Sequence, residues 1–115
     1  MKRFILLALL FSSIFFNAEA QSDSLQVMRK SIDSLDLQII RLLGKRMEVV
    51  TSIGKYKAVH QIAPLQPKRF EEVVQKNILS GQKEQLSEPF IRALMDAIHE
   101  ESLKKERALQ EKKVP

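Results

Sequence analysis

Apolar residues recur at Leu25, Met28, Ile32, Leu35, Ile39 and Leu42, and again at Val49, Ile53 and Tyr56. The steps alternate between three and four, the seam of a heptad helix, and position 46 is where an apolar member is missing. No proline interrupts the stretch before Pro64. The pattern therefore predicts one helix from about Ser24 to about His60, roughly 55 Å long at about 1.5 Å per residue. The residues that follow are too few to cover such a stripe, so it calls for a partner helix from a second copy of the chain. A break follows at Gln61 to Gln66. Pro67 suits the first turn of a second helix, where its missing N–H costs nothing. That helix should run to about Ser80, with Phe70, Val73, Val74 and Leu79 among its apolar residues and Gly81 as its stop. Ser87 is a natural N-cap for a third helix, with Glu88 and Pro89 in its first turn. Its stripe is Ile91, Leu94, Met95, Ile98 and later Leu109, and the run KKERALQEKKVP from Lys104 is expected to fray into a solvated tail from about residue 108. Nothing alternates with period two. The class is all-α, with three helices per chain, one long and two shorter, paired with a second copy.

Composition changes this picture at the N-terminus. Four of the six phenylalanines lie in the first sixteen residues. Residues 1–20 read MKRFILLALLFSSIFFNAEA: a basic start at Lys2 and Arg3, an apolar run, then Ala18-Glu19-Ala20, the small-x-small pattern of a cleavage site. This is the layout of a cleavable secretory signal, with the cut before Gln21. An uncleaved anchor is the alternative, but the apolar run is about 13 residues against the roughly 20 that span a bilayer. With no cysteine there is nothing to acylate as a lipoprotein, and disulfides, thiolate zinc sites and cysteine nucleophiles are excluded as well. The expected destination is the periplasm or the medium, with no stable membrane anchor after cleavage. Losing Lys2, Arg3 and Glu19 from 19 basic and 14 acidic residues leaves 17 and 13, a net charge of +4 over residues 21–115. So few residues with three aromatics (Tyr56, Phe70, Phe90) make a thin core, which again favours oligomerisation.

Charges standing where the periodicity asks for a hydrophobe carry the chemical signal. Arg46 fills the missing seam position. Lys57, eleven residues on, falls about 20° away around a helix turning ~100° per residue, on the same face. A cation on such a face needs an anion, either an acidic residue of the chain in an internal or register-setting salt bridge, or a ligand. On the third helix Ser102 and Glu106 lie about 20° and 60° from Ile91, continuing its apolar stripe. Together the four residues suggest a polar pocket inside a helical bundle, which Arg69 could close. Arg29 lies roughly 42 Å before Lys57 along one helix, at about 1.5 Å per residue, and could meet it only from an antiparallel partner. If Arg29 is functional, the protein is an obligate dimer. His60 and His99 show no ligand-like spacing and read as structural or surface residues. Nucleic-acid binding is disfavoured by interspersed acids and the lack of an aromatic array.

Arg29-Lys30-Ser31-Ile32-Asp33-Ser34-Leu35-Asp36, then Leu43-Gly44-Lys45-Arg46, Gly54-Lys55-Tyr56-Lys57, Pro67-Lys68-Arg69 and Glu100-Glu101-Ser102 resemble the all-helical chorismate mutases in type and separation. The resemblance covers about Leu25 to Arg107. It implies an intertwined dimer with two equivalent sites, a substrate that is a small dianion, chorismate, and a unimolecular rearrangement to prephenate that requires no cofactor and no metal. By the same resemblance Arg46 and the partner's Arg29 bind carboxylates with help from Arg69, Lys57 donates to the ether oxygen, Ser102 contacts substrate, and Glu106 faces the ether oxygen from the other side. Three positions depart from the pattern. Glu106 stands where the family commonly has Gln, and donates only when protonated. Phe70 follows Arg69 where many members have an acid, and Gln66 replaces a usual aspartate. The related isochorismate pyruvate lyases are apolar at the position of Phe70, which makes salicylate-forming lyase activity the alternative. A non-enzymatic dimeric helical module is the alternative from another class.

Overall fold

The computed structural model describes residues 2–112, with side chains from Gln21 onward. Three helices follow one another, α1 (Lys2–Val59), α2 (Pro67–Lys83) and α3 (Glu88–Glu111), and no strand occurs among the described residues. The all-α reading of the sequence holds. α1 starts well before the expected Ser24, because residues 17–24 contain neither proline nor glycine to stop a helix. The side chains on which the export-signal reading rests, residues 1–20, lie outside those described. Among the described residues no helix is long and apolar enough to cross a membrane.

The chain divides into two compact units, one up to Leu43 and one from Gly44 on. In the first, residues 21–42 are all exposed. Its seam of Leu25, Met28, Ile32, Leu35, Ile39 and Leu42 keeps 43–65% of its surface open to solvent. An apolar stripe of that length left open is the sign of an interaction surface.

The second unit is built from the end of α1 with α2 and α3. Val74, Ile78, Ile91 and Met95 form its buried cluster, with Phe70, Val73 and Ile98 packed around them. Pro67 opens α2 as expected. Ser87 caps α3, its hydroxyl accepting from the Phe90 N–H at 3.4 Å. The exit of α2 differs from expectation. The helix continues through Gly81 to Lys83, and Gly81 is buried within it. The left-handed residue that ends the helix is Gln85, at φ 60°, and the Leu86 N–H closes the turn onto the Gly81 carbonyl at 2.9 Å. Gly81 is needed for closeness instead, since a Cβ there would stand 2.7 Å from Ile91 Cγ1. α1 ends in the same way, with Gln61 at φ 58° and the Ile62 N–H on the Lys57 carbonyl at 2.9 Å.

The expected fraying near residue 108 does not occur, and α3 stays helical to Glu111. Leu109 and Gln110 are half-buried. Gln110 Nε2 donates to the Ile62 carbonyl at 2.9 Å, tying the end of α3 to the connection after α1.

These two glutamine and glycine positions predict opposite signs. Gly81→Ala should destabilise by about 1–3 kcal/mol through overpacking against Ile91. Gln85→Gly should stabilise by roughly 0.5–1 kcal/mol by relieving the left-handed backbone. Urea denaturation midpoints check both, and a neutral Gly81→Ala would refute the close-contact account.

Candidate active site

The charged residues singled out on apolar faces converge in the second unit. A cavity of about 360 Å³ is lined by Arg46, Lys57, Arg69, Phe70, His99, Ser102 and Glu106, with Val50, Ile53 and Met95 among its apolar walls. That volume suits a small organic ligand. α1 supplies Arg46 and Lys57 three turns apart on one face. α3 supplies His99, Ser102 and Glu106, spaced by three and four, so that all three look the same way.

The approach of the two helices depends on Gly54. A Cβ there would lie 2.9 Å from Leu109 Cδ1, 3.1 Å from Glu106 Cγ and 3.3 Å from Glu106 Cα. With only a hydrogen at position 54, α3 comes close enough for Lys57 Nζ to reach Glu106 Oε2 at 2.9 Å. The two side chains keep only 12% and 8% of their surface. Lys57 Nζ also donates to the Pro64 carbonyl at 2.9 Å. An ammonium has three N–H groups. Two are used, and no described residue accepts from the third.

Arg46 is placed differently. Its guanidinium donates to Ser102 Oγ at 3.1 Å, while the Ser102 hydroxyl itself donates to the Ile98 carbonyl at 2.8 Å. The hydroxyl is thereby fixed as an acceptor. Among the described residues Arg46 has no carboxylate within 4.0 Å. The internal salt bridge weighed from the sequence is thus realised for Lys57 and absent for Arg46. Arg69 stands at the rim, its side chain 69% exposed and 3.8 Å from Glu72, free to swing toward a ligand. Three cations against one carboxylate give the lining a surplus of positive charge, which suits a dianion.

Phe70 and Gln66 both border the cavity, so these departures from the family pattern bear on the site itself. Phe70 stacks on His99 with ring centroids 3.9 Å apart. Burial holds the His99 imidazole below its ordinary range. Glu106 and Asp96 oppose that shift, and Arg46 and Lys57 reinforce it. The ring is neutral at neutral pH. In the sequence His99 reads as a structural or surface residue, because a histidine without spaced ligands carries no signal, although it shares the face of Ser102 and Glu106. Pro64 and Gln110 were invisible for another reason: one acts through a backbone carbonyl and the other stood in an expected tail. Arg29 belongs to the other unit and is not among the residues that line the cavity. His60 stacks on Tyr56, exposed, in keeping with a surface role. Among the described residues no three histidine, aspartate or glutamate side chains gather as a metal site.

The sequence matches the type II chorismate mutase family over residues 28–107. It is 32% identical over 80 residues to the T-protein of Haemophilus influenzae, covering 70% of this chain and 21% of that protein. It is 28% identical over 87 residues to the 4-amino-4-deoxychorismate mutase of Streptomyces pristinaespiralis, 76% of this chain and 67% of the other. It is 30% identical over 71 residues to the isochorismate pyruvate lyase of Pseudomonas aeruginosa, 62% and 69% of the two chains. The chain thus spans about a fifth of the T-protein's length.

Gly54→Ala should cost about 1–3 kcal/mol by forcing α1 and α3 apart. It should also weaken binding of any dianion in the cavity, because Glu106 and Lys57 move with the helices. Denaturation and ligand titration on the same variant check the pair; full stability with full binding would refute the role of Gly54.

Proposed function

The chain belongs to the type II chorismate mutase family, and we propose that it converts chorismate to prephenate in this cavity. The observation that carries the reading is Arg46, a half-buried guanidinium with no counter-ion among the described residues, beside a Lys57 that keeps one N–H to give. Chorismate has two carboxylates and breaks an ether bond while a carbon–carbon bond forms in the same molecule. No nucleophile is needed. The protein has to hold the folded conformer and to stabilise negative charge on the ether oxygen. In this reading Arg46, fixed by Ser102, binds one carboxylate, Arg69 swings in to assist, and the spare N–H of Lys57 meets the ether oxygen. For Glu106 to face that oxygen from the opposite side, its 2.9 Å contact with Lys57 opens to admit the ether.

We also propose that two copies assemble through the open seam of α1, each receiving the partner's Arg29 as a further carboxylate ligand. The exposure of Leu25 to Leu42 supports this, since water-exposed seams of that length are stabilised by pairing. The signal-like residues 1–20 support export to the periplasm or beyond, with the working enzyme beginning at Gln21.

Phe70 gives weight to a second reading, isochorismate pyruvate lyase, because an aromatic ring stands where a carboxylate would hold the substrate's hydroxyl. Offering each substrate separately to protein beginning at Gln21 decides between them. Prephenate from chorismate is the expected result. Salicylate and pyruvate from isochorismate, with no prephenate, would replace the mutase reading by the lyase.

Arg46→Ala should leave the fold within about 1 kcal/mol, since the residue loses only a hydrogen bond to Ser102. The same change should lower kcat/KM by about 100-fold or more. A purely structural helical module would tolerate it without consequence.

Glu106 ionised neutralises Lys57 and repels charge on the ether oxygen; protonated, it donates to that oxygen. Glu106→Gln, whose amide N–H donates to the ether oxygen at any pH, should therefore raise kcat/KM at neutral pH. An unchanged kcat/KM in that variant would remove Glu106 from the mechanism.

A further inference from the structure

One polar group in the cavity wall has no role in the rearrangement described above. His99 lines the cavity, and its Nε2 is shut off from solvent without a hydrogen-bond partner among the described residues. A buried nitrogen in that condition is held at a cost unless something completes it. The stack on Phe70, 3.9 Å between centroids and 15° between planes, holds the plane of the ring against α2.

The chemistry of the missing partner follows from the other lining groups. Arg46, Lys57 and Arg69 attract anionic groups. Glu106, the acid among the lining residues, is already engaged by Lys57 at 2.9 Å. An ammonium on a ligand would find no uncommitted carboxylate there. Burial keeps the His99 ring neutral at neutral pH. A neutral imidazole nitrogen donates or accepts according to its tautomer, and a hydroxyl can answer either. The apolar face of Phe70 beside it offers nothing to a charge.

We propose that His99 is a specificity-determining residue, hydrogen-bonding through Nε2 to the ring hydroxyl of the bound dicarboxylate and so selecting a hydroxyl over an ammonium at that ring position. A half-turn of the imidazole about its Cβ–Cγ bond, which preserves the stack on Phe70, presents the nitrogen to the ligand. This assignment rests on the reading of the cavity as a dicarboxylate site and adds to it the group that reads the rest of the ring.

The test is equilibrium binding, by titration calorimetry at neutral pH, of three non-reacting cyclic dicarboxylates that differ at one ring position: hydroxyl, hydrogen or amine. The full protein should bind the hydroxyl compound on the order of tenfold more tightly than either of the others. His99→Leu should bind the hydrogen compound as the unmodified protein does, which shows the site intact, and should lose the preference for hydroxyl. His99→Gln, which can donate or accept, should recover part of it. A preference that survives in His99→Leu, or an amine bound as tightly as the hydroxyl by the unmodified protein, overturns the assignment while leaving the dicarboxylate site standing. A protein that binds none of the three overturns the dicarboxylate reading, and the assignment with it.

Discussion

The ion pair between Lys57 and Glu106 is the constraint around which the second unit is arranged. Two charges with almost no exposed surface are stable only at short distance and with their remaining hydrogen-bonding groups answered. The distance is short because Gly54 lets α3 approach α1 with nothing but a hydrogen between them. One of the two remaining ammonium N–H groups is answered by the Pro64 carbonyl, and the connection that carries it is held by Gln110 through Ile62. Loss of any of these would leave a charge buried without its geometry. The ordered end of α3 follows from this arrangement: Leu109 packs against Gly54, and Gln110 ties down the connection, so the last turn has tertiary work that its composition does not reveal.

Lys57 and Arg46 share a helix face and have opposite circumstances. Lys57 is neutralised from within the chain. Arg46 is positioned by a hydroxyl, which orients a guanidinium without cancelling its charge. Positioning without neutralisation is what a receptor for a carboxylate requires, because the binding energy is kept for the ligand. The pair Lys57–Glu106 meanwhile presents a donor and a carboxylate side by side in the cavity wall. Phe70 and His99 close that volume with an apolar face and a neutral edge, and this sets the present chain apart from a site walled by carboxylates.

The two units differ in how they bury apolar surface. The second encloses a compact cluster around Val74, Ile78, Ile91 and Met95. The first leaves its heptad seam open along α1. That open seam is the physical ground for the self-association proposed above.

The sequence alone determined the helical class, the breaks at Pro67 and Ser87, the unsatisfied seam and the faces that carry Arg46, Lys57, Ser102 and Glu106. These follow from periodicity and capping, which act between residues close in the chain. What it misjudged were the ends. It read Gly81 as a stop, placed the start of the first helix at Ser24 and expected the last turn of the third to fray. The first and last of these depend on contacts distant in sequence, Ile91 against Gly81, and Gly54 and Ile62 against Leu109 and Gln110, while the start of the first helix is local, since no proline or glycine stops it. The site divides along the same line. That two cations shared a face was legible from helical geometry. Only tertiary structure could decide which of them finds a carboxylate, and it could bring His99 into the wall where no spacing announces it, because pairing across helices depends on how closely two backbones approach, and that distance is written in packing and not in period.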